Sequence, residues 1–79
     1  MTTQDDLNVL RSGVPHWNVW RARRKRFDLS GVDLSGCDLR RICFRDGNLE
    51  GVILRKANLE GANLDGANLA QADLSGANM

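Results

Sequence analysis

From Phe27 to Met79 the chain repeats every five residues: FDLSG, VDLSG, CDLRR, ICFRD, GNLEG, VILRK, ANLEG, ANLDG, ANLAQ, ADLSG, ANM. The central position is Leu29, Leu34, Leu39, Phe44, Leu49, Leu54, Leu59, Leu64, Leu69, Leu74 and Met79, apolar without exception. Two places earlier stand Phe27, Val32, Cys37, Ile42, Gly47, Val52, Ala57, Ala62, Ala67, Ala72 and Ala77, all small or apolar. Asp or Asn mostly lies between the two. This register runs through 53 of the 79 residues with no insertion, so it governs the fold.

A period of five fits neither regular structure if continued. On an α-helix five residues advance about 500°, roughly 140° past a full turn, so the leucines would scatter around the axis. On a flat strand, side chains alternate at period two, and an odd spacing sends every second leucine to the wrong face. A corner in every five resolves the conflict. Two alternating inward positions form a short extended piece, and the next two residues turn the chain. Gly31, Gly36, Gly51, Gly61, Gly66 and Gly76 occupy that corner, where a missing Cβ helps.

The pattern A(D/N)LxX, with a central Leu or Phe, resembles that of the pentapeptide-repeat proteins. It is sharpest in ANLEG, ANLDG, ANLAQ and ADLSG from Ala57 to Gly76, and weaker in ICFRD, GNLEG and VILRK, where Cys43 and Ile53 replace the usual Asp or Asn. Gly13–Val14 and WNVWR from Trp17 to Arg21 also resemble a leader that precedes such repeats. The resemblance implies an all-β solenoid, a right-handed quadrilateral β-helix of four fives per coil. Residues 27–79 would make about two and two-thirds coils, and residues 1–26 a short N-terminal helical cap and basic segment.

Twenty residues would then return the chain above its start, at roughly the 4.8 Å spacing of paired strands. Stacked columns follow. Phe27, Gly47 and Ala67 form one, so the lone inward glycine leaves room for the Phe27 ring. Val32, Val52, Ala72 and Cys37, Ala57, Ala77 form others. On the outside, Arg40 falls over Glu60 and Arg45 over Asp65, opposite charges worth about 0–1 kcal/mol each at a surface.

Ahead of the repeats, residues 2–12 read as a short helix. Thr2 or Thr3 can cap it, Asp5 and Asp6 suit its positive first turn, and Leu7 and Leu10 share a face. Gly13 supplies a stop and Pro15 opens a second helix, which places Trp17 and Trp20 on one side. Leu7, Leu10, Val14, Trp17 and Trp20 would make an apolar lid, with the two tryptophans as its structural cap. Arg21, Arg23, Arg24, Lys25 and Arg26 follow at once. They read as a solvated helix end or as a patch for nucleic acid or an acidic protein.

Charge is split along the chain. Residues 1–26 hold six basic and two acidic side chains, and residues 27–79 five and eight, for a net +1. No apolar run approaches the roughly 18 residues of a membrane span, and Asp5 and Asp6 sit where a signal peptide would be basic, so a cytoplasmic location is expected. Cys37 falls at an inward position and Cys43 at an outward one, so reduced thiols are expected. With His16 far upstream they make no metal site, and no cofactor is implied. Asp28, Asp33 and Asp38 fall on different sides of the coil, too dispersed for acid–base catalysis. The aspartates and asparagines read instead as turn formers that bond nearby backbone.

The expected function is a non-catalytic structural or protein-interaction module, a scaffold, spacer or adaptor within a longer chain or assembly. Short stacks need caps. The inner layer at Leu69, Leu74 and Met79 would meet water, so that open end is the candidate site for a protein partner or self-association. Relatives that regulate DNA gyrase by imitating DNA offer an alternative. They are strongly acidic, whereas this body carries Arg40, Arg41, Arg45, Arg55 and Lys56. A further alternative is nucleic-acid binding through Arg21–Arg26, although no aromatic residue or recognition motif interleaves with the charges there.

Overall fold

The computed structural model describes residues 3–24 and 26–79. Two helices come first, α1 (Thr3–Arg11) and α2 (Val14–Arg21). Asp5 and Asp6 lie in the first turn of α1 and Arg11 in its last, each of a sign that the helix dipole favours. A cap from Thr2 lies outside the described residues. Gly13, at φ 106°, ends α1 by donating its N–H to the Leu10 carbonyl at 2.9 Å. Its own carbonyl accepts the Trp17 N–H at 3.0 Å, and Pro15 sits in the first turn, where a missing N–H costs nothing.

The fives then wind into a coil that closes every twenty residues. Parallel bridges link Asp28 to Asn48 to Asn68, Asp33 to Ile53 to Asp73, Asp38 to Asn58 to Asn78, and Cys43 to Asn63. Three sides of the coil are therefore three layers deep and the fourth is two. Each rung is made by a pair of bonds of one form: the Leu29 N–H to the Asn48 carbonyl and the Asn48 N–H to the Phe27 carbonyl, both 2.9 Å. Pairing is confined to isolated bridges, and among the described residues no β-strand forms. An all-β solenoid thus describes the pairing and overstates the strands. The physical reason is the corner itself, which redirects the chain after each bridge.

That corner is hydrogen-bonded across four residues, as from the Val32 N–H to the Leu29 carbonyl at 3.2 Å. Its third residue has positive φ, near +70° at Gly31 and Gly36, the signature of a type II turn. Arg41, Asp46, Lys56 and Gln71 take the same role at φ 59–63°. The preceding Asp or Asn braces the turn. Asp28 Oδ1 accepts both the N–H and the hydroxyl of Ser30, at 2.9 and 2.6 Å, and Asn48 Oδ1 accepts the Glu50 N–H at 3.1 Å. Asp33, Asn58, Asn63, Asn68 and Asp73 repeat the motif. This is the turn-forming role expected of these residues, and it explains why Asp and Asn are interchangeable there.

Inside, Leu29, Leu34, Leu39, Phe44, Leu49, Leu54 and Leu59 are all buried, as are Phe27, Ile42, Val52 and Ala57. A Cβ on Gly47 would overlap the Phe27 ring, so the glycine makes the ring's space, as the column reading anticipates. Phe27 and Phe44 stand 5.3 Å apart between centroids, and Trp17 packs edge-on against both, at 4.9 and 5.7 Å. Trp17 is fully buried. Trp20, half-buried, leans on it at 4.9 Å.

Candidate interaction surfaces

A stacked coil exposes two rims of backbone donors and acceptors, one at each end. At the upper rim, side chains from the helices stand where a preceding coil would be. Asn18 Oδ1 accepts the Cys43 N–H at 2.8 Å, and Trp17 Nε1 donates to the Cys43 carbonyl at 2.8 Å. Asn18 Nδ2 donates to the Arg41 carbonyl at 3.0 Å. The Arg21 guanidinium donates to the carbonyls of Arg24 and Arg45. From α1, Asp6 Oδ2 accepts the Asp28 N–H at 2.8 Å. Asp6 and Arg21 are buried, at 4% and 7% exposure; backbone groups engage Asp6 Oδ2 and both terminal nitrogens of Arg21, while Asp6 Oδ1 is buried with no hydrogen-bond partner among the described residues.

Arg21 therefore leaves the exposed basic patch to which the sequence reading assigns it. Its charge lies under the surface, 5.1 Å from the centre of the Phe27 ring, because α2 docks that side onto the coil. Arg24 is half-buried over the Trp20 ring at 5.2 Å. Arg23 and Arg26 are exposed, and Lys25 lies outside the described residues. His16 is exposed on α2. The sequence reading gives Asp6 only a place in the first turn of α1, and Asn18 no role; it does not anticipate their contacts with the coil. The available signal was a polar residue set among the apolar positions of each helix.

The lower rim has no such cover among the described residues. The N–H groups of Gly61, Leu64, Gly66, Leu69, Gln71, Leu74 and Gly76 find no acceptor, and the carbonyls of Ala62, Ala67, Ala72 and Ala77 no donor. Leu64, Leu69 and Leu74 are half-buried, and Met79 is 65% exposed. The three residues singled out as an open end thus share one unpaired edge with Leu64.

Ion pairs on the sides differ from expectation. Arg40 bonds Asp38, at 2.9 Å from both Nε and Nη2, rather than Glu60. Arg45 lies 3.6 Å from Asp46 rather than on Asp65. In both cases a carboxylate on the same turn is nearer than the one a coil below, and a long exposed side chain takes the closer partner. Between coils, Arg55 pairs with Asp73. The Ser75 hydroxyl and then the Arg55 guanidinium hold the Asp73 carboxyl down at about 2, against an ordinary 3.8. Asp33 is lowered chiefly by the Ser35 hydroxyl, and Asp38 by Arg40.

The sign of the linkage is fixed by the depression. Asp73 contributes stability that is fully present above about pH 4 and lost as pH falls toward 2, and Asp33 and Asp38 add to it with the same sign. The melting temperature is expected to drop over that window, and Asp73→Asn to make the drop shallower, since the amide keeps the turn bond but does not titrate. Melting curves from pH 2 to pH 7 test this; an Asp73→Asn profile parallel to that of the parent would refute it.

Both cysteines are free and half-buried. Among the described residues no group of three or more His, Cys, Asp or Glu is placed to hold a metal. No helix there is long and apolar enough to cross a membrane.

The family model for pentapeptide repeats matches in eight copies over residues 25–46 and 42–79. Among solved structures, the chain is similar to alr5209, a pentapeptide repeat protein from Nostoc Pcc 7120. The identity is 25% over 75% of this chain and 69% of that one, with a TM-score of 0.28. No curated protein matches.

Proposed function

Since the chain belongs to the pentapeptide-repeat family, we propose that it is a non-catalytic protein-interaction module, a short right-handed quadrilateral β-helix that docks by its lower rim. The observation that carries this is the inequality of the two rims. One is hydrogen-bonded in part, by Asp6 at Asp28, by Trp17 and Asn18 at Cys43 and by Arg21 at Arg45, while the other has no side chain bonded to its unpaired N–H and C=O groups around Leu64, Leu69, Leu74 and Met79 among the described residues. An edge of that kind takes up another extended chain by adding rungs, and its half-buried leucines add apolar area to the contact. A second copy, another protein or further repeats would each satisfy it.

Imitation of DNA asks for a continuous acidic face, and exposed Arg40, Arg41, Arg45, Arg55 and Lys56 interrupt it. Inhibition of gyrase supercoiling by this chain would revive that reading.

The docking reading is tested by light scattering together with amide exchange. The expected result is a mass above the 8.8 kDa of one chain, alone or with a co-purifying protein, and slow exchange at Leu64, Leu69 and Leu74. Leu74→Glu should abolish both. A monomer at every concentration, binding nothing and exchanging freely at these amides, would refute the proposal.

A further inference from the structure

We propose that a second surface, at the corner between the fourth side of the coil and the first, binds a carboxylate-rich segment of a partner protein. A cleft of about 710 Å³ opens there, and its lining includes Arg21, Arg26, Arg45, Asp46, Asn48 and Asn68. Three guanidiniums face one carboxylate. The Arg21 guanidinium is anchored by its bonds to the Arg24 and Arg45 carbonyls, which tie the segment after α2 to the first coil. Arg26 is exposed and makes no hydrogen bond, ion pair or ring contact with a described residue. The Arg45 contact to Asp46, at 3.6 Å and well exposed, is too long for a hydrogen bond, so a ligand carboxylate can replace it at little cost.

The two asparagines complete the chemistry. Each uses its Oδ1 to accept a turn N–H, from Glu50 and from Ala70, while neither amide NH2 has a partner among the described residues. In Asn48 and Asn68 the acceptor is engaged and the donor is free. The cleft is thus rich in unsatisfied donors, which suits a carboxylate held by Arg in bidentate fashion. A peptide is favoured over nucleic acid for two reasons. Phe27, the aromatic residue of the lining, is buried and offers no face for base stacking. The repeat body, with eight acidic and five basic side chains, repels a long polyanion while leaving a short acidic segment room at the cleft.

The test is fluorescence anisotropy with a short labelled polyglutamate peptide at low salt. Binding is expected, weakened about tenfold by Arg26→Gln with Arg45→Gln. Arg55→Gln with Lys56→Gln removes the same charge from another corner and should change affinity by no more than about twofold. Exposed side chains are altered in both variants, and melting curves of each confirm the fold. Equal losses in the two variants would mean attraction by overall charge alone and would overturn the assignment, as would absence of binding. Tighter binding of a duplex DNA of matched charge would replace the peptide by nucleic acid. None of these outcomes depends on the lower rim.

Discussion

Gly47→Ala is expected to destabilise the chain by about 3 kcal/mol, the upper end of the usual range for an added methyl in a packed core. For a domain of this size that is roughly 12–24 °C in melting temperature. The backbone raises no objection, since Gly47 is not among the residues of positive φ. The obstacle is the Phe27 ring, whose outer carbons occupy the space a Cβ needs. Trp17 and Phe44 flank that ring and prevent it from moving aside. The coil itself supplies the remedy, because on the fourth side Ile42 sits over Ala62. Gly47→Ala combined with Phe27→Ile recreates that pair and should recover much of the loss, although the contacts of the ring with Trp17 stay lost. A double-mutant cycle in urea measures the coupling; strict additivity would show that the two residues do not share the space.

Trp17→Ala should be at least as damaging. Truncating a fully buried aromatic costs about 3–5 kcal/mol, and the Cys43 carbonyl would lose its donor, a further ~1–3 kcal/mol. A chain of this length has on the order of 4–12 kcal/mol in total, so the variant is expected to be largely unfolded. Trp17→Phe separates the two contributions by retaining a ring without the N–H. It should fold with a lowered urea midpoint. Trp20→Ala, at a half-buried position with no described hydrogen bond from its indole, should be the mildest of the three. Equal effects at Trp17 and Trp20 would contradict the role given to the Cys43 bond.

Much of the coil is legible before any coordinates, because one number, the period, sets both the corner and the stacking offset. The place of Phe27 over Gly47 follows from that offset alone. The rim contacts do not. Asp6 meets Asp28 and Asn18 meets Cys43 through the way two helices settle on the first coil, and no periodicity links those positions. The basic run misleads for the same reason, since only docking decides that Arg21 goes under while Arg23 and Arg26 stay out. Surface ion pairs fail on a smaller scale. The coil below lies where the twenty-residue offset puts it, yet Asp38 and Asp46 are closer to Arg40 and Arg45 than Glu60 and Asp65 are.

The twenty-residue closure also sets a phase rule for changes in length. Adding or removing one five advances everything after it by a quarter turn, so that each later residue moves to a different side and meets new vertical neighbours. Adding twenty leaves every side as it was and only lengthens the stack. A surface shared between coils, such as the one joining Arg45 to Asn48 and Asn68, survives whole-coil insertions below it and is dismantled by the loss of a single five within it.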